Sequence, residues 1–185
     1  MREIASKGQL RLAYLRWAVV TVPFILLLGF TSGRLVPSGS DNPWFARLVK
    51  PEIMPPEWAF PAAWGTIYVL MGLALAMVIN ARGSSVRGPA LVVFAIQMAV
   101  NLAWTPVFFG MHQVVTALIM IGALLALVLL TIILFWRVRK GAAVLMVPYL
   151  AWLGFAFVLL YQINELNPNA GSLVPSRSAD QIQII

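Results

Sequence analysis

The stretch VVTALIMIGALLALVLLTIILFW, Val114 to Trp136, carries no charged residue and no proline. A run of about 20 mainly apolar residues is what an α-helix needs to cross the hydrocarbon core of a bilayer. Four more such runs follow from the same criterion, and together they set the expected spans at roughly 12–31, 58–80, 89–109, 114–136 and 142–160. The composition agrees. The 185 residues are 61% hydrophobic and 10% charged, with a mean hydropathy of +0.89, which is too apolar for a water-soluble domain of this size. The expected fold class is therefore all-α, a polytopic membrane protein built as a five-helix transmembrane bundle. Residues 1–166 form the transmembrane domain and 167–185 a polar, loosely ordered C-terminal tail. Span one also fits a signal peptide loosely, with a basic head and the small residues Thr31, Ser32 and Gly33, but no clear A-x-A site follows it, and the count stays at five.

The net charge of +7 is distributed between the apolar runs, which points to topology and not to nucleic acid. Arg2, Lys7, Arg11, Arg16, Arg82, Arg87, Arg137, Arg139 and Lys140 fall on one side, and Arg34, Arg47, Lys50 and Arg177 on the other. The positive-inside rule then places the N-terminus in the cytoplasm. Tyr14, Trp17, Trp44 and Trp136 lie near expected boundaries and read as interfacial anchors.

Conventional catalysis lacks its parts. The chain has no cysteine and a single histidine, and no carboxylate pair shares a helix face, so nucleophilic, acid-base and metal mechanisms have no constellation to work with. No Asp, Lys or Arg lies deep in a span, which leaves a proton relay unequipped. His112, in the turn after span three, reads as an interfacial polar residue ahead of a haem ligand. The odd number of spans and the absence of an internal repeat weigh against an inverted-repeat transporter.

Span three is the most informative. Gln97, Asn101, Trp104 and Phe108 recur at steps of four, three and four, forming one stripe, with Ala95, Ala99 and Ala103 opposite. Amides are costly toward lipid, so the first stripe is expected to face the bundle interior, either as interhelical hydrogen-bonding glue or as ligand contacts. The alanine ridge allows close backbone approach, either within the chain or at a dimer interface. Gly29 and Gly33 offer a weaker G-x-x-x-G contact. Trp64 and Tyr68 can share a face of span two, and Tyr149 and Trp152 a face of span five. Buried indoles and phenols need partners, which Gln97 and Asn101 can supply or share with a ligand. Ahead of span two, KPEIMPPEWAFPAAW (Lys50 to Trp64) is stiffened by Pro51, Pro55 and Pro56. It reads either as a rigid lid aiming Trp58, Phe60 and Trp64 at the bundle mouth, or as a plain helix start with interfacial rings.

Three blocks carry a resemblance. WFARLVKPEIMPPEWAFPAAWGTIYVLMG (44–72), QMAVNLAWTPVFFGM (97–111) and VPYLAWLGFAFVLLYQINELN (147–167), in this order and spacing, are similar to the translocator protein family, also called TspO/MBR or peripheral-type benzodiazepine receptor. The resemblance implies a five-helix, often homodimeric receptor or carrier that binds porphyrins, haem or sterols in a cavity capped by the first long loop. In some members it implies light-dependent protoporphyrin breakdown. Carried onto this sequence, the ligand-binding residues are Trp58, Trp64, Gln97, Asn101, Trp104, Tyr149 and Trp152. Trp64 and Trp152 are the candidates for oxidative chemistry, and no cofactor is required beyond the tetrapyrrole ligand itself. The chain departs from the family in having Glu52, Ile53 and Met54 where an aromatic is common, and Leu159-Leu160 where Leu-Asn is frequent. The sterol pattern is not met, since QINEL follows Tyr161 without a basic residue; only Leu12 to Arg16 matches it loosely. Sterol binding thus ranks behind tetrapyrrole binding. Lys50 is the cation expected to meet porphyrin propionates.

Overall fold

A computed structural model describes residues 7–81 and 83–173. Arg2, Arg82, Arg177 and the tail from 174 onward lie outside the described residues. The helices are α1 (Lys7–Arg34), α2 (Pro43–Arg47), α3 (Ala59–Asn80), α4 (Arg87–Thr105), α5 (Val114–Val138) and α6 (Lys140–Leu166). All but the short α2 are long and apolar enough to cross a membrane. Helix is the structure open to such segments because each backbone N–H and C=O is satisfied within the segment, where lipid offers no partner.

Around the bundle the packed pairs are α1 with α3, α3 with α6, α6 with α5, α5 with α4 and α4 with α1, which closes a ring of five. Apart from the segment 35–58, the connections between the spanning helices are short. A single extended residue, Arg139 (φ −152°, ψ 111°), separates α5 from α6, and His112 turns the chain between α4 and α5 with φ at 57°. The left-handed region is one that histidine enters more readily than most residues. The His112 ring lies 4.8 Å from that of Trp44.

Lipid tails are as apolar as the helix surfaces, so close packing and interhelical hydrogen bonds hold the ring together. Two glycines permit the approach of α1 to α3. A Cβ built on Gly72 would lie 2.6 Å from the Val22 Cα, and one on Gly29 would overlap the Tyr68 ring, whereas Gly33 faces open space. Only Gly29 of the G-x-x-x-G pair therefore makes a helix contact. The Thr21 hydroxyl adds a bond to the Gly72 carbonyl at 2.7 Å. Ala95, Ala99 and Ala103 all lie exposed on the outer face of α4. The other described helices leave this ridge uncovered.

Span three breaks earlier than expected. At Pro106 the α-helix gives way to a wider turn, Pro106–Gly110, in which Met111 N donates to Pro106 O at 2.9 Å. Proline has no N–H to offer the carbonyl of Leu102. The Ser32 hydroxyl of α1 donates to that carbonyl instead, at 2.6 Å. On the C-terminal side α6 runs to Leu166, past the span expected at 142–160, and a turn at Ala170–Leu173 follows it.

The loop from 35 to 58 lies across the bundle end. Trp44, expected as an interfacial anchor, is instead 1% exposed: its indole N–H donates to the Ala170 carbonyl at 2.8 Å and its ring meets Phe108 edge-on at 5.3 Å. Trp17 and Trp136 are exposed on the outside of the bundle.

Candidate functional site

The stripe on α4 turns inward. Gln97 is fully buried and Asn101 nearly so, for the reason that placed them there in the sequence: a primary amide left in hydrocarbon forfeits hydrogen bonds that water would otherwise supply. Asn101 connects two neighbouring helices. Its Nδ2 donates to the Tyr149 hydroxyl on α6 at 2.8 Å, and its Oδ1 accepts from the Tyr68 hydroxyl on α3 at 3.3 Å. One turn back along the same stripe, Gln97 differs, because neither Oε1 nor Nε2 has a partner among the described residues.

The two tyrosines bound to Asn101 belong to a cluster of rings. Trp64 stacks on Tyr68 with centroids 5.4 Å apart and planes 28° from parallel. It meets Tyr149 at 6.1 Å and Trp152 at 6.5 Å, both edge-on. Phe60 and Phe155 flank Trp152 at 6.0 and 5.5 Å. Edge-to-face and offset contacts of this kind are the favourable arrangements for aromatic quadrupoles. Trp64 and Trp152 are thus in mutual contact at the centre of the cluster, and Gln97, Asn101 and Tyr149 lie deeper.

Two of the expected ligand residues lie outside this ring cluster. Trp104 stacks on Phe108 at 5.0 Å and donates its indole N–H to the Ala117 carbonyl at 3.1 Å, which ties α4 to α5. Trp58, 71% exposed, stands at the start of α3. Lys50 is also otherwise engaged: its ammonium bonds the Phe45 and Ala46 carbonyls at the end of α2 and sits 5.0 Å from the Phe45 ring.

Open space lies to the side of the cluster. A groove of about 620 Å³ runs between α3 and α6, lined by Trp58, Ala59, Ala62, Ala63, Thr66, Ile67, Pro148, Ala151, Trp152 and Phe155. Gln97, Asn101, Trp104 and Tyr149 do not line it, so the expected hollow is divided into a packed polar interior and an outer groove that share Trp152. Sequence reasoning passed over Tyr68 as a site residue, although its i+4 spacing from Trp64 was the available signal. It also passed over the small residues of the groove, for which Ala62, Ala63 and Ala151 gave a compositional hint.

The TspO/MBR family model matches residues 19–166. The chain belongs to the TspO/MBR family. Its similarity to individual TspO/MBR proteins is spread over most of the sequence. It is 38% identical over 144 residues to the tryptophan-rich protein TspO of Chlorobaculum tepidum, covering 77% of this chain and 90% of that one. To the tryptophan-rich sensory protein of Cereibacter sphaeroides it is 40% identical over 139 residues, 75% and 84% of the two chains. To the translocator protein of Sus scrofa it is 38% identical over 135 residues, 72% and 79%. It is thus a TspO/MBR membrane protein, with the amide and ring cluster at the centre of the matched region.

Proposed function

We propose that this TspO/MBR protein is a membrane receptor or carrier for tetrapyrroles such as protoporphyrin IX and haem, held among Trp64, Tyr149 and Trp152 with polar contacts from Asn101 and Gln97. The observation that carries the reading is Gln97, a fully buried amide whose donor and acceptor both lack a partner among the described residues. An unmet polar group of this kind costs about 1–3 kcal/mol, and a ligand whose polar edge reaches it recovers that cost. The neighbouring rings supply flat apolar faces for stacking. The tetrapyrrole is cargo or signal here, and no further cofactor is needed.

Titration of the purified protein with protoporphyrin IX tests this. Saturable tryptophan quenching, weakened by Trp64→Leu, Trp152→Leu and Gln97→Leu, is the expected result. Unchanged affinity in all three variants would remove the site assignment.

The Trp64–Tyr68 stack and the Trp64–Trp152 contact favour a second reading, in which illumination in the presence of dioxygen consumes the bound porphyrin while these oxidisable rings stand beside it. A protein-dependent product, absent from free porphyrin under the same light, separates turnover from storage. Sterols rank behind tetrapyrroles as ligands.

The assembly we propose is a homodimer joined at the exposed ridge of Ala95, Ala99 and Ala103, with the N-terminus on the cytoplasmic side. Single cysteines introduced at either end of the chain, which has none of its own, report that orientation by their accessibility to an impermeant thiol reagent.

A further inference from the structure

We propose that the ligand reaches the site sideways from the bilayer, through the groove between α3 and α6 with Trp152 as its gate, and not by lifting of the loop at 35–58. This rests on the tetrapyrrole reading above.

The loop is fastened at both ends. Asn42 accepts from Trp44 N and Phe45 N through Oδ1 and donates through Nδ2 to Pro37 O at 2.9 Å and Phe109 O at 3.0 Å, so it binds the loop to the wider turn that follows α4. On the far side, Asn167 pairs with the Val49 backbone in both directions, accepting from its N–H at 2.9 Å and donating to its carbonyl at 2.9 Å. The same side chain also closes the last turn of α6 by donating to Ile163 O at 2.8 Å. Trp44 adds its bond to Ala170, and Trp44, Phe45 and Leu48 are buried beneath the loop. Lifting it would break all the intersegment bonds and uncover three apolar side chains at once.

Between α3 and α6 the Asn101 bridge lies deep in the bundle, and beside the groove no direct side-chain hydrogen bond joins the two helices among the described residues. The indole N–H of Trp152 makes no hydrogen bond among the described residues, so ring contacts with Phe60, Trp64 and Phe155 are what hold it in place. Pro148, one turn before Trp152, deprives α6 of a backbone bond at the level of the groove, where a proline-containing helix bends most easily. Ala62 and Ala151 are exposed on the flanks, and the groove of about 620 Å³ is shallow and open along its length. A flat molecule dissolved in the lipid therefore meets an open, small-residue groove whose inner wall is a ring of the site itself.

Stopped-flow tryptophan quenching by protoporphyrin IX, with the full chain in lipid nanodiscs, tests the route. Filling the groove with Ala62→Phe plus Ala151→Phe, at positions that carry no core contact, is expected to slow association about tenfold while leaving equilibrium affinity within about threefold, since a gate acts on both directions of passage. Phe155→Ala, which widens the groove, should speed association, and Asn167→Ala, which unfastens the loop, should leave the rate unchanged. Fast association in the filled protein, or acceleration by Asn167→Ala with the filled protein at the wild-type rate, overturns the route alone. A wild-type protein that shows no saturable quenching overturns the tetrapyrrole reading, and the route with it.

Discussion

The side-chain amide of Asn101 donates to the hydroxyl of Tyr149 across 2.8 Å, joining α4 to α6 inside the bundle. Because Tyr68 on α3 donates to the same amide's oxygen at 3.3 Å, one residue links three of the five spanning helices. In hydrocarbon such bonds are individually worth about 0.6–2 kcal/mol, since the unfolded chain in the membrane also finds partners.

Asn101→Leu should therefore destabilise the bundle by about 1–3 kcal/mol, because two buried hydroxyls lose their partner at once. Tyr68→Phe should cost less. Reversible unfolding in mixed micelles measures both, and a double-mutant cycle between Asn101→Leu and Tyr149→Phe should show coupling of about 0.5–2 kcal/mol.

Gln97→Leu is expected to act in the opposite direction on stability. Removing an amide that has no partner among the described residues should leave the ligand-free protein as stable as the wild type, or more stable by about 1 kcal/mol, while porphyrin affinity falls by about tenfold, equivalent to about 1.4 kcal/mol. Thermal unfolding with and without protoporphyrin measures the two effects together. A destabilised ligand-free variant with unchanged affinity would identify Gln97 as packing alone.

Gly29 and Gly33 should separate sharply. Gly29→Ala drives a methyl group into the Tyr68 ring and should cost about 1–3 kcal/mol, as overpacking in a closed core does. Gly33→Ala meets open space and should fall within about 0.5 kcal/mol of the wild type. Comparison of unfolding midpoints decides this.

Ser32 and Pro106 should behave as a pair. Ser32→Ala leaves the Leu102 carbonyl without the 2.6 Å bond that replaces the missing proline N–H, at a cost of about 1 kcal/mol. In the Pro106→Ala background, where a backbone N–H is restored, the same substitution should cost markedly less. A cycle of the four proteins by reversible unfolding measures the difference.

Ala99→Leu should break a dimer built on the alanine ridge while leaving the folded monomer intact, because the side chain lies on the outer face. Sedimentation in density-matched detergent reads the oligomeric state, and an unaltered dimer would exclude that ridge as the interface.

The sequence by itself determined that Val114 to Trp136 and four comparable runs form helices, and that Gln97 and Asn101 turn away from lipid. Both follow from local chemistry: backbone groups and amides have no partner in hydrocarbon, whichever helices stand beside them. It could not determine that Asn101 finds a partner on two other helices while Gln97 finds none among the described residues, that Trp44 is buried against Ala170 instead of anchoring at the interface, or that Ser32 completes the helix broken at Pro106. Those outcomes depend on residues distant in the chain that meet only once the ring of helices closes. Periodicity assigns a side chain to a face; which atoms meet it there is settled by the distances between helices, and these were set by small residues such as Gly29 and Gly72 through contacts that no single segment contains.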